Sequence, residues 1–186
     1  MVTVGTEYRR DRISNRISTQ TTEEISMPNI EQALQARGLY LPAPIHLPEG
    51  VKLPFAFARV VGSRVFISGH GPQNPDGSLA APLGKVGRDL TVEQGYAAAR
   101  LTALSILASL KRTIGDLDRV VAWGRVFGMV NSAAGFNSQP AVINGFSDLI
   151  LDLYGPDRGM HARSAVGMAE LPFNIPVEIE AEVEIA

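Results

Sequence analysis

The end of the chain alternates strictly between apolar and acidic side chains, and this run restricts the fold more than any other feature. Apolar residues occupy the odd positions 177–185, and the even positions hold Glu178, Glu180, Glu182 and Glu184. Successive side chains of a strand point to opposite faces of a sheet, so the run predicts a strand with one buried face and one open face. We therefore expect a sheet that is covered by helices on one side.

Residues 55–176 supply further strands and two long helices. Gly62 and Ser63 separate two apolar runs and predict a tight hairpin. Thr91, with Gln94 three places on, forms a capping-box signature, and Gly115 is suited to end the helix that follows. The element order β-β-α-β-α-β-β predicts an α+β domain with helices on one face of a mixed sheet. The remaining predicted elements are a strand over 119–130, a helix over 140–154 and a strand around 163–169.

The region before the hairpin is different in character. Residues 1–26 are polar and aperiodic, which predicts a disordered tail. Residues 27–54 predict a short helix, capped by Asn29 and stopped by Gly38, and then a proline-rich extended connection. The main domain is expected to span residues 55–186.

Composition excludes several classes of function. The chain has 186 residues, with 17 Lys+Arg against 19 Asp+Glu and a net charge of −2, which argues against a dedicated nucleic-acid binder. It has no cysteine, and its three histidines are scattered without zinc-ligand spacing, so we expect no metal site. It shows no apolar run long enough for a membrane span and no secretory signal, so a cytoplasmic protein is expected.

Arg163 is the candidate binding residue in the strand around 163–169. If the residues alternate regularly, it shares a face with three very small residues, which leaves room beside a guanidinium that can bind a carboxylate at two points. Two interpretations remain open from the pattern: a binding site for a small organic acid, or a surface arginine paired with one of the glutamates. The opposite face is mainly apolar, is expected to meet the helices, and consists of Ser164, Val166 and Met168.

Glu178 differs from the other glutamates of its row. It lies beside the Leu171-Pro172 turn and is expected near the end of the sheet that holds Arg163. A carboxylate in that position could orient or activate a water molecule. The alternative is an ordinary solvated row of carboxylates, which is the interpretation for Glu182 and Glu184.

Three stretches together resemble the YjgF/RidA family, the reactive intermediate deaminases that are also called L-PSP endoribonuclease-like proteins. They are "VFISGHGPQNPDGSL", "FNSQPAVINGFSDL" and "HARSAVGMAELPFNIPVEIEAEVEI". The resemblance covers roughly residues 55–186. It implies a chorismate-mutase-like fold and a homotrimer with pockets between subunits.

The resemblance also implies roles for particular residues. Arg163 matches the arginine that clamps the substrate carboxylate, Glu178 the glutamate that helps to hold the attacking water, and Ser68 the serine at the end of the second strand. Phe55 stands where the family has a pocket tyrosine, and Ala165 where it has a cysteine. His70 stands where many members carry glutamine. All six residues are candidate site residues, and the three departures mark a divergent branch.

The implied activity is hydrolysis of small reactive 2-imino acids, such as 2-iminopropanoate, to 2-keto acids and ammonia, without metal or cofactor. Two alternatives stay open. One is a trimer that binds small carboxylates without turnover and has a regulatory or chaperone-like role. The other is an endoribonuclease, against which the lack of a basic groove in the sequence argues.

Overall fold

The chain is described by a computed structural model over residues 29–46, 50 and 52–186. The predicted disorder of residues 1–26 therefore lies outside the described residues. One five-stranded mixed sheet, in the order β1-β2-β5-β3-β4, carries its long helices on one face, which confirms the α+β prediction. The elements are α1 (Ile30–Ala36), β1 (Ala58–Val61), β2 (Arg64–His70), α2 (Val92–Ile114), β3 (Val120–Asn131), α3 (Gln139–Gly159), β4 (Ala162–Met168) and β5 (Val177–Ile185).

The alternating strand β5 lies at the centre of the sheet. It pairs antiparallel with both β2 and β3, whereas β4 pairs parallel with β3 and forms an edge. The apolar side chains of β5 are all buried in the main core, and its glutamates lie half-buried or exposed on the other face. The predicted alternation is therefore confirmed.

Both long helices begin and end close to their sequence signals. The Thr91 hydroxyl accepts a hydrogen bond from the Gln94 amide and the Gln94 side chain bonds back to Thr91, so the capping box forms. Helix α3 is interrupted at Gly155, which adopts the non-helical angles φ 70° and ψ 175°, so its first segment ends at the predicted Tyr154 and a further turn runs to Gly159. Within the described ranges, no helix is both long enough and apolar enough to cross a membrane.

Helix α1 packs onto this body. Ile30, Ala33 and Leu34 are buried in the main core. The Asp118 carboxylate accepts a hydrogen bond from the Ile30 amide at 3.0 Å, and Arg37 forms an ion pair with Asp152. The short helix thus contributes to the same hydrophobic core as the long ones.

The orientation of β4 is the reverse of the sequence prediction. Arg163 pairs with Val126, which is fully buried beneath the helices, so neighbouring side chains at this register share the helix-covered face. Gly167 also faces α3, because a Cβ atom there would lie 2.8 Å from Gln139 Nε2. The expectation that Ser164, Val166 and Met168 meet the helices is therefore wrong. Val166 and Met168 instead pack into a small separate cluster with Met129, Leu171 and Ile175.

Candidate functional site

The Arg163 guanidinium is held by neutral acceptors of α3. Its Nη1 donates to Asn144 Oδ1 at 3.0 Å and to Ser147 Oγ at 2.9 Å, and its Nη2 lies 3.4 Å from the Pro140 carbonyl. No ion pair among the described residues includes Arg163, which contradicts the interpretation of a surface arginine paired with a glutamate. The cation is fixed in place while its charge is left without a carboxylate partner in this part of the chain. Such a group favours an anionic ligand.

Ser147 links Arg163 to a histidine that sequence reasoning did not identify. Ser147 Oγ lies 2.9 Å from His161 Nε2, and His161 Nδ1 lies 2.8 Å from the Gly159 carbonyl. Burial lowers the pKa of His161, and the charge of Arg163 lowers it further. A neutral ring with its proton on Nδ1 accepts a hydrogen bond from the Ser147 hydroxyl at Nε2. The oxygen of this hydroxyl then has lone pairs free to accept the hydrogen bond from Arg163. The signal in the sequence is the i, i+3 spacing of Asn144 and Ser147 on one helix face.

The Glu178 side chain lies on the opposite face of the sheet from Arg163 and lines a groove that also reaches Ser109, Arg112 and Thr113 of α2. Its carboxyl group is half-buried, and burial, followed by the charge of Glu180, raises its pKa. Gly69 provides the space for it, because a Cβ atom at position 69 would lie 1.9 Å from Glu178 Oε1. A partly desolvated carboxyl group with a raised pKa in a groove has the properties of a general base.

His70 forms part of the groove wall. It is 5% exposed, with Nδ1 2.7 Å from the Ser68 carbonyl and Nε2 2.8 Å from Ser109 Oγ. Burial lowers its pKa to about 4, so the ring is neutral near pH 7. The carbonyl requires the proton on Nδ1, and Nε2 then accepts from the Ser109 hydroxyl. Arg112 Nη2 donates to the same hydroxyl at 3.0 Å.

The structure brings only some of the sequence-predicted site residues together within one chain. Phe55, His70 and Glu178 line the groove, whose volume is about 750 Å³. Ser68 donates to the Ala56 carbonyl at 2.8 Å and lines a separate hollow of about 260 Å³ on the open face of the sheet. Arg163 and Ala165 lie on the helix-covered face.

Three carboxylates lie close together at the junction of α1 with the body. Glu31, Asp116 and Asp118 have oxygen atoms within 4.8 Å of one another. All three already contact protein donors: Lys111 forms an ion pair with Glu31, the Ile30 amide donates to Asp118, and the Asp118 amide donates to Asp116. Their geometry is explained by the docking of α1.

The fold agrees with comparisons to known proteins. The family model described as "YjgF/chorismate_mutase-like, putative endoribonuclease" matches residues 31–180. Protein TCP17 of Trypanosoma cruzi is 42% identical over 144 residues, covering 73% of this chain and 89% of that protein. The chain belongs to the YjgF/chorismate-mutase-like family, which confirms the resemblance in the sequence.

Two solved structures resemble the chain over most of its length. The protein Atu1372 of Agrobacterium tumefaciens, described as having unknown function, has a TM-score of 0.75 and 39% identity, covering 84% of this chain and 92% of that one. A protein of Shewanella oneidensis, described as a "putative endoribonuclease", has a TM-score of 0.75 and 32% identity, covering 85% of this chain and 100% of that one. The matched family region begins at residue 31 and therefore includes most of α1.

Proposed function

We propose that the protein hydrolyses reactive 2-imino acids to 2-keto acids and ammonia, in the cytoplasm, at a site formed between copies of the chain. The observation that carries the proposal is the Arg163 guanidinium, which α3 holds through neutral acceptors. A fixed fork of donors without a carboxylate partner among the described residues suits the carboxylate of a small organic acid.

The second catalytic group must come from another copy. Arg163 bonds to α3 on the helix-covered face of edge strand β4, whereas Glu178 stands on the open face of β5, with β3 between the two strands. Neighbouring strands are about 4.8 Å apart, so one small acid cannot contact both side chains through the sheet of a single chain. A closed ring of copies can bring Arg163 of one copy to Glu178 of the next, and the homotrimer implied by the family resemblance is such a ring.

The chemistry requires a bound carboxylate, a water molecule and one proton carrier. Arg163 binds the carboxylate and fixes the C=N carbon in reach of a water molecule. Glu178 takes a proton from this water as its oxygen forms a bond to the carbon, and then returns the proton to the nitrogen. This gives a carbinolamine. Glu178 then carries the proton of its hydroxyl group to the nitrogen, the C–O bond becomes the carbonyl as the C–N bond breaks, ammonia leaves and the 2-keto acid remains. The imine is already electrophilic, so positioning and proton transfer suffice.

A second candidate is binding of carboxylic acids without turnover. Phe55 supplies no hydroxyl to the groove and Ala165 supplies no thiol beside Arg163, so both positions are less polar than in the resembling family. An endoribonuclease is less well supported. Arg112 is the single cationic side chain among the described groove residues and Glu178 is acidic, whereas phosphate backbones require several cations.

Ammonia release from freshly generated 2-iminopropanoate tests the proposal. We expect faster release with the wild-type protein than in buffer, loss of the difference in Arg163→Ala, and a mass in light scattering near three times 20.0 kDa. Binding of pyruvate through Arg163 without faster hydrolysis would favour the binding protein. A monomeric mass at micromolar protein would contradict the site between copies.

A further inference from the structure

The groove beside Glu178 is much larger than a three-carbon acid requires. Its volume is about 750 Å³. 2-Iminopropanoate has six non-hydrogen atoms and would displace on the order of 180 Å³, at about 30 Å³ for each water-sized group. The groove falls in the size range of pockets that enclose ligands several times larger.

The walls of the groove are mostly apolar. Phe57 packs edge-on against Phe55, with ring centroids 5.6 Å apart, and against His70 at 5.2 Å. Phe55 is 52% exposed, so a large part of its ring is left without a partner among the described residues. Aliphatic and aromatic groups continue along the groove, at Ile45, Leu53, Leu79 and Ile175.

The polar side chains in the wall are hydrogen-bonded to the protein, and Arg112 is the one cationic side chain among the described groove residues. His70 bonds to the Ser68 carbonyl and to Ser109, and Arg112 bonds to Ser109 and to the Pro42 carbonyl. These contacts leave Glu178 as the carboxyl group that lines the groove among the described residues. An uncharged polar ligand chain would lose its water without gaining matched partners there, whereas an apolar chain would gain burial.

We propose that this groove is a side-chain subsite, and that the protein acts on 2-imino acids with large branched or aromatic side chains in preference to 2-iminopropanoate. The proposal rests on the proposed function, because it places the reacting carbon at Glu178 and the substrate side chain along Phe55 and Phe57. The groove adjoins the proposed general base, so a ligand held there has its apolar end fixed relative to the reacting end.

The test compares the rates at which the protein hydrolyses imines that an amino acid oxidase generates in situ from alanine, leucine and phenylalanine. Trapping of the remaining imine by semicarbazide is the readout. A hydrophobic pocket discriminates by roughly tenfold or more for each methylene that it accommodates. We expect kcat/KM for the leucine- or phenylalanine-derived imine to exceed that for the alanine-derived imine by at least about tenfold. Equal values, or a preference for the alanine-derived imine, would overturn the subsite and leave the proposed function standing.

A pair of variants tests the position of the subsite. Phe57→Ala removes part of the groove wall. It should lower the ratio of kcat/KM for the phenylalanine-derived imine to kcat/KM for the alanine-derived imine by about tenfold. Tyr40→Ala removes an aromatic side chain that is 71% exposed and lies outside the groove lining, and should leave the ratio unchanged. Phe57→Leu is the milder variant, and an unchanged ratio in folded Phe57→Leu and Phe57→Ala would contradict the assignment.

Binding separates failure of the subsite from failure of the proposed function. We expect phenylpyruvate to bind the wild-type protein at least about tenfold more tightly than pyruvate. If no imine is hydrolysed but this difference is observed, the proposed function fails and the subsite stands as a binding site. If phenylpyruvate binds no better than pyruvate, the subsite is wrong, which is the outcome expected if a second copy covers the groove.

Discussion

Arg163 and Glu178 lie on opposite faces of one sheet, with strand β3 between their strands. Arg163 bonds to Asn144 and Ser147 of α3 on the helix-covered face. Glu178 pairs with Met129 of β3 and occupies the space beside Gly69 on the other face. If both act on one small substrate, they must belong to different copies of the chain.

Arg163→Lys is expected to weaken carboxylate binding by roughly 1.5–3 kcal/mol, the range for hydrogen bonds to charged groups. Lysine keeps the charge but loses the planar fork of donors. The loss of affinity therefore measures how much the two-point hydrogen bonding of the guanidinium adds to the effect of the charge. Calorimetric titration with pyruvate and phenylpyruvate is the measurement, and Arg163→Ala should lose at least as much. Arg59→Lys, in exposed strand β1, is the matched control. Unchanged affinity in Arg163→Ala would show that the arginine does not bind the ligand.

Gly69→Ala is expected to reduce turnover as strongly as a change of Glu178 itself. The added methyl group would lie 1.9 Å from Glu178 Oε1, so the carboxyl group must move. Loss of a positioned general base lowers kcat on the order of 10²-fold or more. Gly124→Ala, whose methyl group would be 3.4 Å from its nearest neighbour, is the control and should retain activity. Full activity of Gly69→Ala would mean that the carboxyl position is not critical.

Glu180→Gln is expected to move the acid limb of the pH–rate profile to lower pH. Burial raises the pKa of Glu178, and the negative charge of Glu180 adds to the effect. The general base must be ionised, and removal of the neighbouring charge makes ionisation easier, so its pKa falls. The profile of kcat/KM against pH is the measurement, with Glu184→Gln on the same strand as control. A limb that shifts upward, or equally in both variants, would exclude Glu178 as the titrating base.

The free energy of unfolding is expected to fall as the pH drops from about 6.5 toward 4. Burial lowers the pKa of His70 to about 4, so in this window the unfolded chain binds a proton that the folded chain does not. The part of the free energy of unfolding that depends on neutral His70 is fully present above pH 6.5. It amounts to about 3 kcal/mol, at about 1.4 kcal/mol per pKa unit.

Urea denaturation at several pH values tests this contribution. His70→Gln should flatten the pH dependence, and exposed His46→Gln should not. His161, whose pKa burial also lowers, remains in both variants and accounts for a residual slope. Equal slopes in wild type and His70→Gln would contradict the buried neutral histidine.

Local sequence patterns predicted most of the fold. The alternation over 177–185, the Thr91–Gln94 capping box and the Gly62-Ser63 turn each depend on neighbouring residues, and each formed as expected. The family resemblance rested on three quoted stretches and was also confirmed.

The orientation of β4 could not be predicted in the same way. Its alternate faces hold small and medium-sized residues, so hydrophobicity does not decide between them. The orientation of β4 is instead determined by residues outside the strand. Helix α3 supplies acceptors for Arg163, and the segment around Leu171 and Ile175 covers Val166. The role of Gly69 was missed for the same reason, because the carboxyl group that fills its space lies 109 positions further along the chain.

Complementation between two inactive variants tests the central claim most directly. Arg163→Ala and Glu178→Gln are each expected to lack imine hydrolysis when pure. In mixed assemblies, about a quarter of the sites in a closed ring combine an intact Arg163 from one copy with an intact Glu178 from its neighbour, whatever the ring size. Co-expression in equal amounts should therefore restore about a quarter of the wild-type activity, if copies mix at random in such a ring. Mixed assemblies that remain as inactive as the pure variants would contradict a site shared between copies.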